Sequence, residues 1–225
     1  MAKESRSKKG NGAITSYLIL YNGLQTLGWS YLLFQVIIYY LFGSTKSLYD
    51  TVQWTVNIFQ NLAVLEVLHA AIGIVKSNPI ITAVQVASRV VVVIGVLIAT
   101  QAPRDSIGLT LCLLAWSITE IIRYSMYALS LVNAVPYFLT WLRYSLFVVL
   151  YPIGITGELL CLYWAQKEVG ENNLYSITMP NEFNVIFNYQ HVLIFTMLLY
   201  IPFFPQLYGH MFTQRKKVLG GKKKE

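Results

Sequence analysis

The stretch Arg143 to Glu158 reads RYSLFVVLYPIGITGE and lies inside a longer apolar run, Tyr137–Ala165. A run of that length crosses a bilayer as a helix, because about 20 apolar residues span the hydrocarbon. Yet it holds an arginine, a mid-run proline, two glycines and a carboxylate. Tyr151 and Glu158 are seven residues apart. On a helix that is about 700° of rotation, so both side chains share one face, roughly 10.5 Å apart along the axis. An ionisable group so deep in an apolar segment is expensive and marks a candidate functional site.

Working outward, the 225 residues are 56% hydrophobic and only 12% charged, with mean hydropathy +0.52. Soluble domains carry about 25% charged residues, so the composition points to a one-domain integral membrane protein. The net charge of +7 would suit a nucleic-acid partner if the charges formed a patch. They do not: ten of the seventeen Lys/Arg residues lie in two short tails, Lys3 to Lys9 and Arg215 to Lys224. That is the positive-inside pattern and not a basic groove, so nucleic acid is excluded. Cys112 and Cys161 both fall inside apolar runs, which argues against a disulfide framework or a metal site.

The chain divides into six apolar runs. After a polar stretch at 1–13, expected to be a disordered basic cytosolic tail, the runs are Ile14–Phe42, Trp54–Val75, Ile80–Thr100, Ile107–Leu129, Tyr137–Ala165 and Val185–Phe212. The connector Gly43–Gln53 and the loop Gln166–Asn184 are polar, and Pro79 suits the first turn of a helix. The β-branched third run is still read as a helix, since only helices or closed barrels satisfy the backbone in lipid. The expected fold is therefore all-α: a six-transmembrane-helix bundle at 14–212 with both termini cytosolic, because an even count puts both basic tails on one side. The tail at 213–225 ends KKKE, the form of a dilysine signal of endoplasmic reticulum membrane proteins. The same lysines would also hold an anionic leaflet.

Within the runs Glu66, Glu120 and Glu158 face a balancing set, Arg89, Arg123 and Arg143. Glu120 and Arg123 are i, i+3, Gln85 and Arg89 i, i+4, and Glu66 and His69 i, i+3, so each couple shares a helix face. Structural ion pairs that fix helix register account for such couples without any catalysis. Arg143 lies near the start of its run, where an arginine also snorkels to headgroups. Glu158 differs, having no cation within four residues on its helix. Pro152 removes a backbone hydrogen bond beside it, and Gly154 and Gly157 either let a ligand approach or let helices pack closely. A phenol and a carboxylate on one face suit elimination of water from a 3-hydroxyacyl thioester. That reaction needs a base at C2 and an acid at the neighbouring hydroxyl, each within roughly 2.6–3.2 Å. No metal or organic cofactor is required. Which of the two residues is the base stays open, with a carboxylate the better base near neutral pH.

The motif YPIGITGE at 151–158 resembles the Tyr-Pro-x-Gly-x-x-Gly-Glu signature of the very-long-chain (3R)-3-hydroxyacyl-CoA dehydratases, the protein-tyrosine-phosphatase-like family. The resemblance extends through YNGLQTLGW (21–29), FQNLAVLEVLHAAIGIV (59–75), QVASR (85–89), AWSITEIIRYSMY (115–127), LYSITMPN (174–181) and YIPFFPQLYGHM (200–211), in an order like that of the animal members. It implies an endoplasmic reticulum enzyme that converts 3-hydroxyacyl-CoA to trans-2-enoyl-CoA, the third step of fatty-acid elongation. Tyr151 and Glu158 then become the catalytic pair. Glu66, Gln85, Arg89, Glu120, Arg123 and Gly154 become supporting positions, and Arg143 or Lys76 a contact for the CoA phosphates. The implied partners are membrane lipid and the condensing enzyme, ketoreductase and enoyl reductase of the same cycle. A phosphatase is excluded, since the Cys-x5-Arg comparison behind that family name meets His69-Ala70-Ala71 here, with Lys76 at the far position. The competing reading is a non-catalytic scaffold of the elongation complex or a proton-coupled lipid carrier. The retained Tyr151/Glu158 pair and the lack of an internal repeat weigh against both.

Overall fold

The computed structural model describes residues 2–177, 179, 180, 182 and 184–220, so the expected dilysine-type signal at 222–225 lies outside the described residues. The described chain is helical throughout: α1 (Ala2–Phe42), α2 (Leu48–Leu62), α3 (Val64–Ala71), α4 (Pro79–Val90), α5 (Ile107–Leu131), α6 (Tyr137–Asn172) and α7 (Tyr189–Leu219). α4 runs directly into a π-helical segment, Val91–Ile98, and a 3₁₀ turn, Ala102–Asp105, precedes α5. The remaining regularity is an isolated antiparallel bridge between Ile177 and Phe187, in the loop before α7.

Cap chemistry explains where these helices begin. α2 begins at Leu48, six residues before the expected Trp54, because the Ser47 side chain accepts from the Asp50 N–H at 3.0 Å. Asn78 caps α4 through the Ile80 N–H at 2.9 Å, and Pro79 occupies the first turn as expected. α1 includes, from Ala2, residues of the stretch expected to be a disordered tail; Ala, Lys, Glu and Arg there have high helix propensity. The second expected run is divided at Ala63 into α2 and α3.

Four segments are long and apolar enough to cross a membrane: Pro79–Ile98, Ile107–Leu131, Tyr137–Asn172 and Tyr189–Leu219. α2 and α3 are too short singly, at 15 and 8 residues. α1 turns Asn22, Gln25 and Thr26 among its apolar residues, which lowers its hydropathy. Its outward side is nonetheless apolar, with Leu20, Leu24, Leu27, Tyr31 and Phe34 exposed at helical spacing.

α5 is the pillar of the bundle. It packs along α1 on one side and α6 on the other, while α7 packs on α6 and α2 on α1. Its buried face carries Leu109, Cys112, Leu113, Trp116 and Tyr124, which join Trp29, Leu32 and Val36 of α1 and Cys161 and Leu162 of α6. The α5–α6 crossing requires glycine: a Cβ on Gly157 would lie 2.7 Å from the Cys112 nitrogen and 2.8 Å from the Gly108 carbonyl. Neighbouring helices run antiparallel, as Tyr40–Thr110 and Tyr21–Tyr124 show for α1 and α5. The start of α1, the end of α5, the start of α6 and the end of α7 thus gather at one end of the bundle.

Candidate active site

Glu158 sits on α6 where α5 and α7 both approach, 7% exposed. Both of its oxygens are held. Trp116 Nε1 of α5 donates to Oε1 at 2.8 Å, and the Tyr200 hydroxyl of α7 donates to Oε2 at 2.7 Å. Both donors are neutral, so the carboxyl is oriented without being locked in an ion pair. Each has one N–H or O–H to give, and only the tyrosine can also accept.

Two helical turns away, Tyr151 lies half-buried on the same α7-facing side. Its ring stacks on Phe204 (centroids 5.6 Å apart, 14° between planes) and on Tyr208 (5.7 Å, 5°). Among the described residues its hydroxyl has no hydrogen-bond partner, so the phenol is fixed by its ring and open at its tip. Pro152 deprives the Val148 carbonyl of its helical donor, and the Tyr208 hydroxyl fills the gap at 2.9 Å. The ring that stacks on Tyr151 therefore also repairs the helix beside it. Gly154 and Gly157 are buried against α5, Gly154 with Ala115 and with Cys112, whose Sγ reaches its carbonyl at 3.9 Å. Of the two roles open to these glycines, close helix packing is the one visible.

From Trp116 a charged chain crosses the bundle. The Arg89 guanidinium lies 6.0 Å from the Trp116 ring centroid and pairs with Glu120. Glu120, 1% exposed, also accepts from Arg123 Nε at 2.7 Å, which realises the expected i, i+3 couple. Arg123 extends to α3, where its two Nη atoms donate to the two oxygens of Glu66 at 2.6 and 2.9 Å. The Tyr124 hydroxyl also donates to Glu66. Two carboxylates and two guanidiniums thus neutralise one another. Three expected positions stand outside this chain. Gln85 is exposed, one turn before Arg89 on α4, and takes no part in the ion pairs. His69 makes no hydrogen bond to Glu66, its Nε2 lying 2.9 Å from the Tyr17 hydroxyl. Arg143 instead donates to the Tyr127 hydroxyl at 3.1 Å, with its guanidinium 4.8 Å from that ring's centroid. Cys112 and Cys161 are free thiols in the core.

Sequence reasoning did not single out Trp116, Tyr200 or Tyr208. Neutral aromatics in apolar runs read as packing. The one available signal was chemical: Glu158 lacked a local cation and had to find polar donors on other helices.

The family model described as protein tyrosine phosphatase-like protein, PTPLA, matches residues 60–221. The chain is 48% identical over 215 residues to the very-long-chain (3R)-3-hydroxyacyl-CoA dehydratase hpo-8 of Caenorhabditis elegans, covering 95% of this chain and 99% of that one. It is 47% identical to very-long-chain (3R)-3-hydroxyacyl-CoA dehydratase 2 of Mus musculus, covering 95% and 85%. With the dehydratase PASTICCINO 2 of Arabidopsis thaliana the identity is 35%, covering 93% and 95%. No solved structure matches the chain.

Proposed function

Because the chain belongs to the protein tyrosine phosphatase-like (PTPLA) family, we propose that it is a lyase that dehydrates very-long-chain (3R)-3-hydroxyacyl-CoA to trans-2-enoyl-CoA. The observation that carries the reading is the α6–α7 wall. There a buried carboxyl held by two neutral donors and an open-tipped phenol face the same helix. Glu158 acts as the base. Its carboxylate takes the C2 proton, and the C–H electron pair becomes the C2=C3 bond. The C3–O bond breaks as the Tyr151 hydroxyl gives its proton to the departing oxygen, so water leaves. Return of the proton from Glu158 to the Tyr151 phenolate resets the site. Arg89, Glu120, Arg123 and Glu66 brace α3, α4 and α5, against the last of which α6 packs, and Gly154 supports that contact through Ala115. Gln85, exposed on α4, serves as a substrate contact. CoA enters as part of the substrate, and the reaction calls for no separate cofactor.

In this reading α1 and the α2–α3 pair complete six membrane crossings, supported by the apolar outward stripe of α1. The end of the bundle that carries the start of α1 and the end of α7 faces the cytosol, in keeping with the basic residues there. The setting is the endoplasmic reticulum membrane, with the condensing enzyme, ketoreductase and enoyl reductase of the elongation cycle supplying the substrate and consuming the product. Tyr151→Phe tests the chemistry. It keeps the stacked ring and removes only the hydroxyl, so kcat should fall by about 10²–10⁴-fold with unchanged thermal stability. Turnover at the wild-type rate would remove Tyr151 from the mechanism.

A further inference from the structure

We propose that Arg143 and Tyr127 form a phosphate site for the carrier end of the thioester, set one phosphopantetheine length from Glu158. The inference rests on the dehydratase reading for the identity of that carrier. The anion site itself rests on three observations of charge and distance.

First, Arg143 is not neutralised by a carboxylate. Arg89 and Arg123 are each paired with a carboxylate, whereas among the described residues no carboxylate lies within ion-pair distance of Arg143. Its Nη1 is buried with no hydrogen-bond partner, while Nη2 donates to Tyr127. A buried guanidinium nitrogen without an acceptor is costly, and an anion at Nη1 removes the cost. The Ser145 Oγ, two residues on, is likewise buried and without a partner. Second, there is room beside Tyr127, the residue to which Arg143 donates. A cavity of about 110 Å³ opens next to Tyr127, lined also by Tyr21, Asn22, His69 and Ser130. Glu66 lines it too, but both of its oxygens are taken by Arg123, so its charge is already answered.

Third, the spacing fits. Trp116 marks the level of Glu158 on α5 and Tyr127 marks the level of Arg143, since each is hydrogen-bonded to its partner on α6. They are eleven residues apart, about 16 Å along α5, while Glu158 and Arg143 themselves are fifteen residues apart, about 22 Å along α6, so the separation of the bonded side-chain tips lies between these limits. From thioester sulfur to first phosphorus, a phosphopantetheine arm runs roughly thirteen bonds, or about 15 Å when extended at the advance per bond of a peptide chain. A substrate with C2 at Glu158 therefore delivers its phosphate to Arg143. The acyl chain extends the other way, toward the C-terminal end of α6 and the lipid.

The same phosphate chemistry is carried by a phospholipid headgroup, and the test separates the two sources. Kinetics are measured on detergent-purified full-length chain with the 3-hydroxyacyl thioester of CoA and with that of pantetheine, which lacks phosphate. Wild type should show a KM about tenfold to a hundredfold lower for the CoA thioester, and Arg143→Gln should erase that difference by raising only the CoA value. Arg143→Lys, which keeps a point charge but not the fork, should recover part of it. Equal KM for both thioesters in wild type would overturn the proposal and leave the site to a lipid headgroup. So would an equal loss on both in the variant, as a merely structural arginine would give. Free CoA binding, measured by calorimetry without turnover, separates the two claims: Arg143-dependent binding by a chain that dehydrates neither thioester would sink the dehydratase reading alone. Binding indifferent to Arg143, in a chain that does dehydrate, would sink the phosphate site alone.

Discussion

Glu158→Gln should lower kcat by about 10²–10⁴-fold while the bundle stays folded. The substitution is nearly isosteric, and the surroundings accept an amide. Trp116 can only donate, so the amide oxygen takes its place at Nε1, where Oε1 now sits at 2.8 Å. The amide nitrogen then faces Tyr200, whose hydroxyl can turn from donor to acceptor at the 2.7 Å contact. Both hydrogen bonds survive, so the site keeps its geometry and loses only a group able to take the C2 proton. Steady-state rates and thermal unfolding on the same preparation check this. A fall in rate matched by a fall in unfolding temperature would assign Glu158 to structure rather than chemistry. Retained turnover would hand the base to another residue.

The second large effect falls on stability. Glu120→Ala should destabilise the protein by about 3–5 kcal/mol, because removing one member of a buried charged cluster strands its partners. Glu120 is 1% exposed and serves two guanidiniums at once, Arg89 and Arg123. Arg123 would keep Glu66, but among the described residues Arg89 pairs with no second carboxylate. The contrast is Lys167→Ala, which removes the exposed Lys167–Glu171 pair at 3.9 Å. Surface pairs contribute about 0–1 kcal/mol, so that change should be barely measurable. Thermal unfolding in one detergent compares the two. Similar small shifts for both would mean that the cluster is not what joins α3, α4 and α5.

Much of this architecture was legible because lipid forces the backbone into helices and costly polar groups into partnerships. The runs at 107–129 and 137–165 became α5 and α6, and Glu120 found Arg123 as the i, i+3 spacing required. The shared face of Tyr151 and Glu158 followed from helical rotation alone, and both do face α7. What was hidden depends on contacts between distant segments. Trp116 and Tyr200 each lie 42 residues from Glu158, and nothing in an apolar run says which aromatic will turn its N–H or O–H inward. His69 had Glu66 at i+3 spacing but took Tyr17 of α1, 52 residues away, because Arg123 and Tyr124 had claimed the carboxylate. The early start of α2 was written locally, in the cap formed by Ser47 and Asp50, but the polar composition of 43–53 masked it. Val91–Ile98 adopts the π-helical winding, for which the run VVVIGVLI carries no local mark.

The central claim is that this chain performs the elimination itself. Wild type, Tyr151→Phe and Glu158→Gln, each purified in detergent, are supplied with a very-long-chain (3R)-3-hydroxyacyl-CoA, and the conjugated enoyl thioester is followed as it forms. Wild type should release one water per substrate and yield the trans-2-enoyl product, and neither variant should do so at a comparable rate. A folded wild-type protein that binds the thioester and forms no enoyl product would contradict the account and make the chain a scaffold or carrier.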